Sequence, residues 1–496
     1  MCRGGNATTS RSSDEAAAAS LIRKAEVGEA SLTCASDILN SDGTRLPLCH
    51  PKSDYTQGKA SNGVRITGSL RLKQEPNIEA QCIIGIQGTW YDVTKFAAHH
   101  PGGDIIYEFH QKDATAQFLA YHDSQLLKKR IKLPTRGTYQ FDAKAPGGST
   151  LQAAWMDLNE KFEREGRYTT PISFLWSRVT VLMIAFAGVV CLIQLYNATK
   201  SYCAFLAAAT CMAALWQQSG FLMHDTMHNH IFHDSKKDHV LGFLFGNVLL
   251  GASGQWWRDE HNEHHVFTNT VVAGVGPADP QMVEDVWIQD KLLIPFSIDA
   301  IRDFVLEYQQ YYFVPILVLV GLLPVKVDAI VNTGRYVTDI CGLALHITWV
   351  GGLLWLLPTG MERVVFYALS NCIAGCLGIQ LLVSHHAKQW AEKEDTKEVG
   401  AWAEHQIAAV IDITCPTWLD WFHGGLHIHS VHHLFPRMCR CHYREVYDDI
   451  LSMCEKHGSP VDQSGWIETI ARCVQKLSTI KDSAKGINGR NKTKVA

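Results

Sequence analysis

Gly254-Gln255-Trp256-Trp257-Arg258-Asp259-Glu260-His261-Asn262-Glu263-His264-His265 carries three imidazoles at positions i, i+3 and i+4. On an α-helix that spacing turns all three to one face. His429-Ser430-Val431-His432-His433 repeats the spacing, and His224-Asp225-Thr226-Met227-His228 offers two imidazoles one turn apart. One cluster alone is equally compatible with exposed helical histidines. Three clusters, each just outside an apolar segment, are not.

Residues 172–195 and 202–223 are each long enough to cross a hydrocarbon layer that needs about 20 helical residues, and residues 196–201 join them as a hairpin. Residues 340–357 and 364–382 form a second hairpin through 358–363. The runs 240–251 and 313–325 are apolar but short, which favours interfacial or re-entrant placement over spanning. If only the two hairpins span, all three histidine clusters and the N-terminal soluble part lie on one face of the membrane.

A chain of 496 residues with a net charge of −4 is expected to hold at least two folding units, and no global basic field points to nucleic acid. Its 24 histidines are clustered, whereas its 15 cysteines are scattered without a CxxC pair, which favours a reducing compartment. No secretory signal peptide is expected near the start. Residues 1–66, rich in Ser, Ala, Gly, Asn and Asp, read as a disordered tail. A compact module follows over 67–141, then a linker and amphipathic helix over 142–171, and a membrane domain over 172–474. Residues 475–496, with Lys476, Lys481, Lys485, Arg490, Lys492 and Lys494, read as a second disordered tail.

The clusters supply eight imidazoles: His224, His228, His261, His264, His265, His429, His432 and His433. That is the donor set a pair of irons needs if each is to keep positions open for oxygen, and imidazole suits a metal that cycles between oxidation states. These eight are therefore the expected catalytic residues and metal ligands.

Upstream, Gly88-Thr-Trp-Tyr-Asp-Val-Thr-Lys-Phe96, His100-Pro101-Gly102-Gly103-Asp104, Asp113-Ala114-Thr115, Phe118 and His122 follow one another. This run resembles the cytochrome b5 family, which implies an α+β haem module of strands, a Pro-Gly-Gly turn and paired helices. By position, His100 and His122 are the implied axial ligands of haem b. Pro101 fixes the turn, and Gly102 and Gly103 are expected to let the backbone approach the porphyrin edge. With both axial sites filled such a haem binds no oxygen and only carries electrons.

The wider setting of the clusters sharpens the resemblance. Gln217–His228, Gly254–His265, Asp279-Pro280, Trp421-Phe422-His423-Gly424-Gly425-Leu426 and Leu434-Phe435-Pro436-Arg437-Met438 look like the front-end fatty acid desaturases that carry an N-terminal cytochrome b5. That family implies an all-α multi-pass membrane domain of two transmembrane hairpins with a cytosolic di-iron cap. It also implies one further ligand on the last span, which falls on His385. The implied reaction inserts a double bond into an acyl chain with O2 and NADH-derived electrons. Its implied partners are an NADH-cytochrome b5 reductase, the lipid bilayer, and an acyl-CoA or phospholipid substrate at the endoplasmic reticulum membrane, with haem and catalytic parts facing the cytosol. A sphingolipid long-chain-base desaturase or a lipid hydroxylase would share every ligand. In two places the chain departs from the family, with His429 where a Gln is usual and His427 where an Asn is usual, which leaves a standard delta-5 or delta-6 subgroup unassigned; whether His385 or His427 completes the iron shell stays open. His230, His233 and His423 are expected beside the clusters rather than in them.

Overall fold

The computed structural model describes residues 81–129, 132–139, 141, 149–283, 286–331, 337–393 and 401–492. The tail expected over 1–66 and most of the expected linker, 142–148, lie outside the described residues.

The N-terminal module is built on a three-stranded antiparallel sheet, β1 (Ile83–Ile86), β2 (Thr89–Asp92) and β3 (Thr135–Thr138), in the order β1-β2-β3. Gln87 and Gly88, both at positive φ, make the two-residue turn that pairs Ile86 with Thr89. Helix α1 (Thr115–Tyr121) follows, its apolar Phe118, Leu119 and Ala120 buried against the sheet side.

Helix α2 (Thr150–Arg164) starts at Ser149, whose hydroxyl accepts from the Gln152 amide at 2.9 Å. Its amphipathic face packs on protein. Trp155 and Phe162 are fully buried, and Trp155 Nε1 donates to the Leu434 carbonyl at 3.0 Å. Burying each such side chain is worth roughly 2–3 kcal/mol. The core that contains them runs without a break from Ile84 and Phe118 in the N-terminal module to Val266, Phe435 and Ile450 in the helical part.

The long helices are α3 (Ile172–Thr199), α4 (Tyr202–Met227), α5 (Gly254–Phe267), α6 (Asp299–Val320), α7 (Leu323–Val331), α8 (Val337–Leu354) and α9 (Gly360–His386). Helices α3 and α4 form the expected hairpin: Lys200 takes a left-handed φ of 53°, and Ser201 caps α4. Among the described residues one helix, Ile172–Thr199, is long and apolar enough by itself to cross a membrane, and α6 with α7 qualifies only as a pair bent by 71°. The break falls at Gly321, at φ 52°, where a β-carbon would collide with the Asn371 backbone of α9. The short run expected over 313–325 is thus the end of one helix and the start of another.

Behind these come α10 (Trp402–Ala409), α11 (His429–Leu434), α12 (Tyr443–Lys456) and α13 (Trp466–Lys492). Residues 475–492, expected as a disordered tail, are helical. Cys473, Leu477 and Ile480 sit at i, i+4 and i+7 and are buried in the core that α6 also enters. Lys476 between them and Lys481 just after them conceal that stripe in the sequence.

Candidate functional site

Four helices deliver the nine side chains expected as metal ligands. His224 lies in the last turn of α4 and His228 caps it; His261, His264 and His265 line α5; His385 ends α9; His429, His432 and His433 occupy α11. All nine are buried. Local chemistry fixes each helix. Ser253 caps α5, accepting from the Trp256 amide at 3.2 Å. On the six-residue α11, Ser430 donates its amide (2.7 Å) and hydroxyl (2.6 Å) to Asp412, which also accepts from Tyr447 at 2.8 Å.

The nine imidazoles converge. Ligand-capable nitrogens of His224, His228, His261 and His432 lie within 4.8 Å of one another, as do those of His264, His385 and His433, and those of His265, His432 and His433. His265 Nε2 stands 3.1 Å from His261 Nε2 and 3.0 Å from His432 Nε2, and His224 Nε2 is 3.1 Å from His432 Nε2. Two nitrogens bound at right angles to one ion at about 2.1 Å would be roughly 3 Å apart.

Most of the opposite ring nitrogens are engaged outward. His261 Nδ1 meets Gln281 Oε1 at 2.6 Å, His264 Nδ1 meets Asp279 Oδ2 at 2.9 Å, and His433 Nδ1 meets Gln406 Oε1 at 2.8 Å. His432 Nδ1 lies 3.2 Å from the Tyr443 hydroxyl, while His385 and His429 point Nδ1 at the carbonyls of Ala409 and Leu426. An acceptor on Nδ1 holds the proton there and leaves the Nε2 lone pair turned inward. Nε2 of His228 and of His433 are buried without a hydrogen-bond partner, as a metal donor awaiting its ion would be. Burial holds His261, His265, His432 and His433 well below the ordinary imidazole range and pushes His429 down to about 3. They are neutral, the form that binds metal. The donor set therefore fits iron.

Asp279, Gln281, Gln406 and Tyr443 carry this scaffold, and no spacing rule singles them out. Asp279 came only as part of an Asp-Pro pair, whereas Gln406 lies 27 residues before its partner with no pattern to mark it. Behind the first cluster, Asp225 accepts from Arg440 Nε at 2.8 Å and faces His230 at 3.8 Å.

His427 takes no part. Its Nε2 is 3.1 Å from Asp420 and 3.1 Å from Arg444 Nη2, which also reaches Asp420 at 2.8 Å and Cys415 Sγ at 3.9 Å. The spacing of Cys415, Asp420 and His427 would suit a metal, but a guanidinium already sits among them. His423 packs on His427, His230 lies behind Asp225, and His233 is exposed.

In the N-terminal module, the rings of His100 and His122 face each other with centroids 6.0 Å apart. Two metal–imidazole bonds of about 2 Å plus the two half-rings span roughly that distance. His100 Nδ1 lies 3.2 Å from the Gly103 carbonyl, leaving Nε2 free, and burial pushes His122 down to about 3. The pair fits a bis-imidazole haem. Pro101 opens the turn between them; His99 is exposed. The turn's glycines are also constrained by protein contacts. A β-carbon on Gly102 would meet the His100 ring at 2.8 Å, and one on Gly103, at φ 81°, would meet the Asp259 carboxylate of α5 at 3.1 Å.

Comparison with known proteins agrees with this geometry. Residues 200–465 match the family model for fatty acid desaturase, and residues 71–140 match that for the cytochrome b5-like heme/steroid binding domain. The chain is 28% identical over 418 residues to Delta(8)-fatty-acid desaturase 2 of Arabidopsis thaliana, covering 81% of this chain and 89% of that one. It is 27% identical over 422 residues to acyl-lipid (9-3)-desaturase of Borago officinalis, covering 82% and 91%. It is also 27% identical over 305 residues to Delta 8-(E)-sphingolipid desaturase of Komagataella phaffii, covering 57% and 55%.

Proposed function

Because this chain belongs to the fatty acid desaturase family, and joins to it a cytochrome b5-like module, we propose that it is a front-end desaturase that inserts a double bond into a (poly)unsaturated acyl chain. The observation that carries this reading is the meeting of nine buried imidazoles from four helices, most of them with the outer ring nitrogen against a polar partner. In this reading His224, His228, His261, His264, His265, His385, His429, His432 and His433 hold two irons, and His100 and His122 hold haem b.

Bound iron would supply the reduction of O2 and the removal of two hydrogens from adjacent methylenes. The chain's own residues do the rest. Asp279, Gln281, Gln406 and Tyr443 hold the ring protons away from the metals, and burial keeps bulk water out of the cluster. An unactivated acyl chain offers no polar handle at its reacting carbons, so its position rests on apolar contacts.

We place the two hairpins, α3 with α4 and α8 with α9, across the endoplasmic reticulum membrane, with haem and metal sites toward the cytosol, where an NADH-cytochrome b5 reductase supplies electrons. The substrate is an acyl-CoA or phospholipid chain. A second reading, a sphingolipid long-chain-base desaturase, is favoured by the sphingolipid enzyme among the relatives. Expression in a host poor in desaturases, followed by double-bond mapping of phospholipid acyl chains and sphingoid bases, separates the readings. New unsaturated acyl chains support the first and unsaturated long-chain bases the second. Hydroxylated chains without new double bonds contradict both.

A further inference from the structure

We propose that Tyr121 is the contact through which electrons pass from the haem module to the metal cluster; this rests on the functional reading above. Tyr121 is the last residue of α1 and is bonded directly to His122. Its ring stands edge-on to that of His265, with centroids 6.3 Å apart and planes at 87°. His265 in turn has its Nε2 3.1 Å from that of His261 and 3.0 Å from that of His432. One residue step and one ring contact therefore join a haem-side imidazole to the centre of the cluster.

The module is fixed on the same helix at a second point. Asn262 Nδ2 donates to the Gly102 carbonyl at 3.4 Å, and Gly103 packs against Asp259. Residues beside both His100 and His122 thus contact α5, which carries three of the nine imidazoles. The shared core that includes Ile84, Phe118, Trp155, Val266 and Phe435 holds this arrangement in place. Trp402 lies on Tyr121 with centroids 6.3 Å apart and packs on Trp155 in turn.

The phenol decides how the ring serves. Its hydroxyl is buried and has no hydrogen-bond partner among the described residues, so none of them stands ready as acceptor for the proton that oxidation to a neutral tyrosyl radical releases. Tyr121 therefore remains a closed-shell bridge. One electron leaves ferrous haem, which becomes ferric, and reduces one ferric non-haem ion to ferrous. No bond forms or breaks, and no proton leaves the tyrosine. The reductant that charges the haem is an NADH-dependent flavoprotein in the cell and dithionite in the test.

The test uses the full chain, purified with matched haem and non-haem iron. The haem is reduced anaerobically with substoichiometric dithionite, and the decay of its ferrous spectrum is followed by stopped flow. Tyr121→Phe is expected to keep the parent decay rate, because the ring remains, while Tyr121→Leu slows it by about tenfold or more. Haem absorption, midpoint potential and iron content should be unchanged in both. Trp402→Leu, which removes a neighbour that does not touch the cluster, is expected to slow the decay far less than Tyr121→Leu does. If the Leu variant fails to hold haem, Tyr121→Met fills the volume without a ring and takes its place. A ring-free variant that decays at the parent rate with both metals present overturns the proposal. So does a Phe variant as slow as Leu. A parent protein without non-haem iron would instead overturn the functional reading itself.

Discussion

The Nε2 atoms of His385, at the end of α9, and His429, at the start of α11, stand 2.7 Å apart while both rings turn Nδ1 toward a backbone carbonyl. A carbonyl only accepts, so both Nδ1 atoms carry protons and both Nε2 atoms carry lone pairs. Two lone pairs do not hydrogen-bond to each other. A cation between or beside them would resolve the contact, which is what the proposed metal ligation by this pair supplies.

His429 is the position at which the chain departs from the family's usual Gln, so its variants read the contact directly. His429→Gln is expected to retain iron and part of the activity, since an amide oxygen can still face His385. His429→Ala should lose both. Product formation and iron content, measured side by side at equal haem content, check this. Parent behaviour in both variants would remove His429 from the ligand set.

Asp279 holds His264 through a 2.9 Å contact and is itself fixed by the amides of Asn269 and Gln281. Asp279→Asn should weaken metal retention by roughly 10–100-fold, as loss of a ligand's outer partner commonly does. Chelator titration followed by iron analysis measures it, with the haem spectrum as the unchanged reference.

Arg440 and Asp225 form an ion pair in which both side chains are almost wholly buried. Arg440→Met strands the carboxylate behind His224 and should cost roughly 3–5 kcal/mol of stability. A clear fall in melting temperature in detergent is the expected result. An unchanged melting temperature would mean that the carboxylate finds another partner.

The sequence and the structure agree where the information is periodic. His261, His264 and His265 share a face because i, i+3 and i+4 always do, and the apolar runs became helices close to where they were expected. Agreement ends where tertiary contacts decide. Gln406 and Tyr443 reach the cluster from helices with no histidine of their own in it, so no local pattern marks them. The stripe of Cys473, Leu477 and Ile480 was hidden by basic neighbours, and the break at Gly321 is set by the backbone of another helix. Sequence also leaves His427 beside His385 as a candidate, and only the tertiary contact with Arg444 sets it apart.

His100→Ala or His122→Ala should abolish the haem absorption bands while leaving non-haem iron in place. Absorption spectra paired with iron analysis on the same preparation check this. Normal bands in both variants would sink the haem assignment.

The central claim, that nine imidazoles hold a pair of irons fed by the haem module on the same chain, is tested most directly by counting non-haem iron per haem in the purified protein. Two non-haem irons per haem are expected in the parent, with a marked loss in His264→Ala and His432→Ala and haem retained. A ratio near zero, or full iron retention in both variants, would contradict it.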